Sequence, residues 1–258
     1  MFRHQATCMG TGFIFQIEDE AGDLRLEELS ASAVEILEDA NQRFSLYIID
    51  SEISRLVRGE LAWDLASHPQ LMIRELVEGW REKTAGFFDA RAGGADYDPS
   101  GLVKSWATQN AADFLLANGV RHFTVNAGGD ILLSPELKSA LLNRVGLSNL
   151  KSIGAEDAGA NLVLNLLGTN FRAVATSGIS ERGEHIWRQD QQAELVQVSV
   201  AGIDLVEADI WATAIISGGM AAWRLFEERS EGRMRAIATT RDGSMFTSPG
   251  FTDLLARL

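Results

Sequence analysis

The 258-residue sequence predicts a mixed α+β fold. Helical and strand patterns are both present, and they alternate irregularly without repeated βαβ units, which argues against a doubly wound sheet. No internal repeat, low-complexity tract or Pro/Ser-rich linker divides the chain, so we expect residues 1–258 to form a single domain. Hydrophobic residues make up 46% of the sequence, which is enough to build a sizeable core.

The first half of the chain carries one strand pattern and three helical patterns. Alternating apolar residues predict a strand over residues 7–17. An apolar stripe at helical spacing predicts a helix over residues 26–41. A second helix covers residues 68–80 and has a proline in its first turn. A third runs from the N-cap Ser100 to the stop signal Asn118-Gly119.

The second half carries mainly strand patterns. Residues 122–133 predict a hairpin with a sharp turn at 126–130. Asp204 and Glu207 resemble a capping box that opens a helix running through Ile216. Five further short strands are predicted, and they cover residues 162–166, 173–176, 195–200, 235–240 and 245–247, the last two forming a hairpin.

The charge balance and the apolar runs argue against two classes of partner. The chain has 23 Lys and Arg against 36 Asp and Glu, a formal net charge of −13. Because so acidic a surface repels phosphate backbones, we expect no nucleic-acid partner. The longest uncharged apolar run, residues 210–223, is too short for a spanning helix, so we expect no membrane insertion.

The single cysteine, Cys8, limits both covalent structure and metal chemistry. It excludes an intrachain disulfide and a cysteine-rich zinc site, and it favours a reducing, cytoplasmic location. The sequence leaves the oligomeric state open.

Two groups of residues have the chemistry to bind a nucleotide or a metal ion. Residues 125–130 read Val-Asn-Ala-Gly-Gly-Asp, and the glycine pair allows either a tight hairpin turn or a backbone cradle beside a nucleotide. Asp209 and Thr213 are four residues apart and share a helix face, where their oxygens suit Mg²⁺. The alternative is an acid of the first helical turn and a threonine bonded back to its own helix.

Two more positions carry candidate chemistry. Lys104 lies about one turn into an apolar helix start, where it would meet a phosphate beside free N–H groups of the helix N-terminus; a solvated surface lysine is the alternative. His185 follows a strand that ends in Thr176-Ser177-Gly178. Its imidazole is either an acid/base group titrating near neutrality or a structural residue.

Taken in order, these pieces resemble the family of FAD:protein FMN transferases, also called the ApbE family. Each segment is a weak signal alone, and their order along the chain makes the resemblance specific. The segments that carry it are residues 9–11, 44–56, 86–89, 98–104, 120–130, 173–178, 185–186, 208–214 and 218–219.

The resemblance implies a mixed α+β flavin-transferase fold with FAD in a cleft between two lobes. It also implies a reaction: FAD is cleaved at its pyrophosphate with Mg²⁺, FMN passes to a Thr or Ser hydroxyl of an acceptor flavoprotein, and AMP leaves. Physically this is a phosphoryl-group transfer, in which positioning and charge neutralisation supply most of the catalysis.

The same resemblance assigns residues to roles. The positions that match flavin- or FAD-contacting positions, or that would line the FAD pocket, are Met9, Tyr47, Phe88, Asp89, Asp98, Lys104, Asp130, Ser177 and His185. The implied Mg²⁺ ligands are the Gly101 carbonyl and the side chains of Asp209 and Thr213. His185 and Asp209 are the implied catalytic residues, with His185 activating the acceptor hydroxyl.

The sequence departs from the family pattern near His185. Residues 187–192 replace an Asp-Pro and a Thr-Gly, and Ile179 stands where an aspartate is common. Because these positions lie where transfer or acceptor docking would occur, two alternatives stay open: a metal-dependent FAD pyrophosphatase giving FMN and AMP, and a non-catalytic FAD-binding protein. The lipoprotein signal of exported members is not seen, so we expect an intracellular member.

Overall fold

The computed structural model describes residues 1–92, 96–147, 162–178 and 195–256. The strands of this part of the chain are β1 (Phe2–Cys8), β2 (Thr11–Ile17), β3 (Phe123–Ala127), β4 (Asp130–Leu133), β5 (Arg144–Leu147), β6 (Leu162–Asn165), β7 (Ala173–Gly178), β8 (Leu195–Gly202), β9 (Arg235–Thr240) and β10 (Met245–Thr247). The helices are α1 (Asp23–Phe44), α2 (Glu52–Val57), α3 (His68–Lys83), α4 (Ser100–Ala117) and α5 (Leu205–Ser230), with 3-10 helices at Trp63–Leu65 and Phe251–Leu254.

Eight of these strands form one sheet in the order β1-β2-β3-β4-β7-β8-β9-β10. Every neighbouring pair in it is antiparallel. The chain leaves this sheet after β4, forms the separate antiparallel pair β5-β6, and returns as β7 beside β4. The mixed α+β prediction is therefore confirmed.

The large sheet carries a hydrophobic core on each face. On one face, strand residues such as Phe13, Phe15 and Val198 belong to the same buried cluster as residues of α1, α4 and α5. On the other face, Val174 and Ile237 belong to a second cluster with the β5-β6 pair and the last 3-10 helix. Because both faces are covered, the neighbouring side chains of β8 are all buried, whichever way they point.

The buried stripe of α1 shows why these residues form an amphipathic helix. Its buried residues recur at intervals of four and three, which places them on one side of the helix. They are Leu26, Ser30, Ala33, Leu37, Ala40 and Phe44. The helix predicted at 26–41 is therefore confirmed, with additional residues at both ends.

Helix α5 is the central helix of the fold. Asp204 is its N-cap, and its carboxylate accepts a hydrogen bond from the Glu207 N–H at 2.8 Å, as the sequence predicts. Burial raises the pKa of the Glu207 carboxyl. Among the described helices, α5 alone has the length and composition to cross a membrane, but 72% of its apolar window is buried inside the fold, as in a core helix.

Three predicted elements need correction. The strand predicted at 7–17 is a hairpin, because Met9 and Gly10 both have positive φ (50° and 69°) and turn the chain between β1 and β2. Ser100 is the first residue of α4 and not its N-cap; its N–H is held by an Asp98 oxygen at 2.9 Å. Helix α5 continues beyond Ile216 to Ser230 across a break at Gly219 (φ 56°, ψ −140°).

Candidate active site

Several elements converge at one end of the large sheet. The β1-β2 turn and the Gly128-Gly129 turn between β3 and β4 are neighbours there, because the Gly128 N–H donates to the Gly12 carbonyl at 2.9 Å. A Cβ added at Gly128 would lie 2.2 Å from Thr11 Oγ1, so only glycine fits against the neighbouring turn. Asp130 is the first residue of β4 and directly follows this pair of turns.

A buried ion pair joins α4 to β4 at this end of the sheet. The Lys104 ammonium contacts Asp130 Oδ2, and Asp209 Oδ2 of α5 lies 4.0 Å from the same nitrogen. Asp130 is 1% exposed, Asp209 is 5% exposed, and 17% of the Lys104 side chain is exposed. Three charges from three separate elements therefore share one largely water-excluded site.

Two consecutive residues of strand β7 form hydrogen bonds to β4 and to α5. The Thr176 N–H donates to Asp130 Oδ1 at 3.0 Å. The hydroxyls of Ser177 and Thr213 share a hydrogen bond of 3.1 Å. Since Thr213 and Asp209 stand on one face of α5, β7 fixes both the carboxylate of Asp130 and the hydroxyl beside Asp209. We call the set Lys104, Asp130, Ser177, Asp209 and Thr213 the polar cluster.

The alternatives for Asp209 and Thr213 do not describe what the structure shows. The acid in the first turn of α5 is Glu207, and Asp209 lies two residues further along the helix. The Thr213 hydroxyl reaches across to β7, to Ser177. Both side chains therefore belong to the polar cluster, and neither serves only its own helix.

The oxygen donors of the polar cluster match a hard divalent cation. Across the described ranges of the chain, no three His, Cys, Asp or Glu side chains group closely enough to hold a metal ion. A cation here would accordingly rest on the Asp209 carboxylate and on neutral oxygens such as the Thr213 hydroxyl. That donor set suits an ion that keeps waters or phosphate oxygens as its remaining ligands.

Two consecutive phenylalanines pack against glycines of the two site helices. A Cβ added at Gly218 of α5 would lie 2.2 Å from Phe87 Cδ1, and a Cβ at Gly101 of α4 would lie 3.2 Å from Phe88 Cε2. Because a glycine has no side chain, each aromatic ring approaches its helix closely. Phe88 is consequently buried within the core, while Phe87 is partly buried against it.

Two predicted acids that follow these phenylalanines in the sequence, Asp89 and Asp98, have partners within the protein. Asp89 accepts hydrogen bonds from Arg81 Nε at 3.0 Å and from the Arg91 N–H at 2.9 Å. Asp98 Oδ1 accepts a hydrogen bond from the N–H of Ser100, the first residue of α4, at 2.9 Å. The N–H groups of Leu102 and Val103 donate to the Pro99 carbonyl, so the expectation of free N–H groups at this helix N-terminus does not hold for them.

The remaining predicted site residues are Met9, Tyr47 and His185. Met9 occupies the β1-β2 turn and is half-buried. Tyr47 lies between α1 and α2 and is 95% exposed. His185 lies outside the described residues. The structure thus brings together the predicted residues Lys104, Asp130, Ser177, Asp209 and Thr213, with Gly101 one turn before Lys104 on α4.

Sequence reasoning missed one contributor, the backbone N–H of Thr176. Its donation to Asp130 fixes that carboxylate. Every residue but proline carries such a group, so only the pairing of β4 with β7 could have identified it.

Comparisons with known proteins agree with this fold. A model of the ApbE family matches residues 90–238. The chain is similar to the solved structure of the flavin transferase ApbE from Vibrio cholerae, with a TM-score of 0.79 and 18% identity over 98% of each chain. It is also similar to Pseudomonas stutzeri flavinyl transferase ApbE in its apo form, with a TM-score of 0.77 and 16% identity over 99% of this chain and 97% of that one.

A third similar structure is the ApbE protein of Thermotoga maritima, with a TM-score of 0.76 and 15% identity over 99% of both chains. No curated protein matches the sequence significantly. At these identities the likeness to solved structures shows the fold alone.

Proposed function

The chain belongs to the ApbE family, and we propose that it is a magnesium-dependent FAD:protein FMN transferase. In this reaction FMN passes from FAD to a Thr or Ser hydroxyl of an acceptor flavoprotein, and AMP is released. The observation that carries the proposal is the convergence of Lys104, Asp130 and Asp209 from three separate elements into one buried site.

The charge of the polar cluster supports the binding of a metal ion first and of a phosphate ligand after it. Two carboxylates and one ammonium sum to a formal charge of −1, which by itself repels a diphosphate. A divalent cation bound at Asp209 would change that sum to +1 and attract the diphosphate of FAD. Because the site is largely shielded from water, these charges act more strongly on each other than surface charges do.

We assign the metal to Asp209, Thr213 and the Gly101 carbonyl. Mg²⁺ prefers such hard oxygens and completes its shell with waters and phosphate oxygens. Bound there, it would neutralise charge that develops on the phosphate oxygens as the diphosphate is cleaved. Ser177 holds the hydroxyl of Thr213 in place for this role.

The protein groups have distinct tasks in the transfer. The oxygen of the acceptor hydroxyl forms a bond to the phosphorus of the FMN moiety, and the bond from that phosphorus to the bridging oxygen breaks. AMP leaves with the bridging oxygen, and the hydroxyl proton passes to a base, for which we propose His185. Lys104 places a positive charge beside the diphosphate and stabilises the charge that builds up on it.

We assign the flavin end of FAD to Met9 and Tyr47. A thioether and an aromatic ring suit a planar, apolar heterocycle, and these two side chains supply them. Asp89 and Asp98 would lie along the FAD-binding cleft between two lobes, and Phe88, which is buried in the core, would support its wall. The single cysteine, Cys8, fits action in a reducing compartment, which we propose is the cytoplasm.

The test is AMP release from FAD by the purified protein, with and without Mg²⁺, and with and without an acceptor domain that contains a target threonine. We expect AMP to appear only with Mg²⁺ and acceptor together, and the acceptor to become covalently fluorescent. A matched acceptor with that threonine replaced by alanine should stay unlabelled.

Other results would identify one of the alternatives. AMP released without acceptor would indicate a FAD pyrophosphatase. Tight, stoichiometric FAD without any AMP would indicate a binding protein. Either result would overturn the transferase assignment.

A further inference from the structure

We infer that Asp130 is a positioning residue, which holds the Lys104 ammonium at the place where the diphosphate of FAD binds. The inference rests on the proposed function, because it takes the diphosphate as the partner of Lys104. It assigns Asp130 a role through Lys104 in place of direct contact with FAD.

Asp130 has little capacity to meet a ligand directly. It is 1% exposed, and its two carboxylate oxygens have different contacts inside the protein, a hydrogen bond at Oδ1 and an ion pair at Oδ2. Oδ1 accepts the Thr176 N–H at 3.0 Å, and Oδ2 contacts the Lys104 ammonium. Any effect of Asp130 on FAD must therefore pass through a neighbour, and Lys104 is the charged neighbour with which it pairs.

The Lys104 side chain needs such an anchor. A lysine has four rotatable bonds and loses considerable rotamer freedom when it is fixed. Two carboxylates also compete for its single charge, since Asp209 Oδ2 lies 4.0 Å from Nζ. In the structure the ammonium lies closer to Asp130 Oδ2 than to Asp209 Oδ2, so Asp130 holds it more closely while it stays beside Asp209.

The backbone makes Asp130 a rigid anchor. It opens β4 directly after the Gly128-Gly129 turn, and the neighbouring strand β7 holds its other oxygen. Asp130→Asn keeps an oxygen for the Thr176 N–H and removes the charge that attracts Lys104. This substitution therefore separates the anchoring charge from the packing of the side chain.

The test is a double-mutant cycle on flavin affinity with Asp130→Asn, Lys104→Met and the double variant. Dissociation constants for FAD and for riboflavin are measured with Mg²⁺ and without acceptor, a condition in which the proposed transferase binds FAD and leaves it intact. Asp113→Asn, the same charge change at an exposed position of α4, is the control.

Asp130→Asn removes a negative charge but also frees the Lys104 ammonium from its position, and we expect the second effect to dominate. FAD binding should weaken by about tenfold and riboflavin binding should change by less than about twofold, whereas tighter FAD binding would contradict the inference. In the Lys104→Met background the same change should weaken FAD binding by less than about twofold. Equal weakening in both backgrounds, equal weakening of FAD and riboflavin, or unchanged FAD affinity would each overturn the inference.

Urea unfolding of the parent, the two single variants and the double variant, without flavin, tests the anchoring independently of FAD binding. If FAD bound to none of these proteins, that result would count against the proposed function alone. Each single variant removes one charge of the Lys104–Asp130 pair and leaves the other in place, whereas the double variant removes both. We expect the double variant to be more stable than either single variant. A double variant as unstable as the two losses added together would show that Asp130 does not hold Lys104.

Discussion

The polar cluster is held in a different way from Met9 and Tyr47, the two residues that we propose for the flavin end of FAD. Asp130 and Asp209 both lie beside the Lys104 ammonium inside the fold, and β7 fixes Asp130 from its other side. Tyr47, in contrast, is 95% exposed, and Met9 is half-buried in a turn. One region has its geometry set by internal contacts, and the other presents its side chains to the surroundings.

The difference follows from the cost of burying charge. A buried carboxylate or ammonium without a partner is strongly destabilising, so a fold that buries three charges must arrange them against one another. An aromatic ring at the surface carries no such requirement, because exposed apolar side chains are common on folded proteins. Folding therefore fixes the positions of the buried charged residues. The exposed aromatic ring is left available to interact with a ligand.

Asp209→Asn gives the largest effect we expect from the polar cluster. It removes the carboxylate assigned to the metal and leaves the contact between Lys104 and Asp130 in place. Acceptor-dependent AMP release should fall by about 10³-fold and lose its dependence on Mg²⁺, with the unfolding transition little changed.

Glu207→Gln is the control for this prediction, because it makes the same charge change two residues earlier on α5. We expect it to keep a rate within about threefold of the parent, since an acid away from the reacting groups contributes little to the rate. If Asp209→Asn retained the parent rate, or if both variants lost activity equally, the metal assignment would be wrong.

Gly218→Ala tests how tightly Phe87 packs against α5. The new methyl group would meet Phe87 Cδ1 at 2.2 Å, so the ring must move or the helix must shift. We expect a loss of about 1–3 kcal/mol in the free energy of unfolding, measured in urea.

Gly79→Ala in α3 is its control, because a Cβ there meets nothing within 4 Å. It should stabilise the protein by about 0.5–1 kcal/mol through helix propensity alone. Equal effects of the two substitutions would mean that Phe87 does not pack tightly against Gly218.

The polar cluster shows which parts of a site a sequence can predict. The pairing of Asp209 with Thr213 followed from helical spacing, which is a local rule. Lys104 likewise stood out because it is a charge in an apolar helix start. That α4 would bring Lys104 to Asp130 of β4 depends on how distant elements pack, and no local pattern encodes that contact.

The β1-β2 turn shows why one element was predicted wrongly. The apolar alternation over residues 11–17 indicated a strand correctly, but the pattern was extended back through Met9. A methionine with φ of 50° is uncommon, so its side chain gave no sign of a turn. The glycine beside it was the only available signal, and a single glycine is also compatible with a strand.

Ser177→Ala is a smaller test of the polar cluster. It removes the hydroxyl that bonds Thr213 and leaves every charge in place. Because a group that orients a metal ligand typically changes activity by 10–100-fold, we expect about a tenfold fall in acceptor-dependent AMP release.

The control for this prediction lies on the opposite face of the same strand pair. Ser199 of β8 shares a hydrogen bond of 2.8 Å with the Thr176 hydroxyl, away from Thr213. Ser199→Ala should lower stability by about 1 kcal/mol and leave the rate within about twofold. Equal rate losses in the two variants would remove Ser177 from the site and leave it with a structural role only.

Tyr47→Ala gives the smallest effect and completes the comparison. Since the ring is 95% exposed, its loss should change the free energy of unfolding by no more than about 0.5 kcal/mol. If the ring packs on the flavin, both FAD and riboflavin should bind about fivefold more weakly, equivalent to about 1 kcal/mol, whereas Tyr47→Phe should bind them as the parent does. Tyr47→Ala should thus weaken FAD and riboflavin equally, whereas Asp130→Asn should weaken FAD and leave riboflavin nearly unchanged. Unchanged affinity for both flavins would place Tyr47 outside the binding site and confine flavin recognition to residues that the fold already holds.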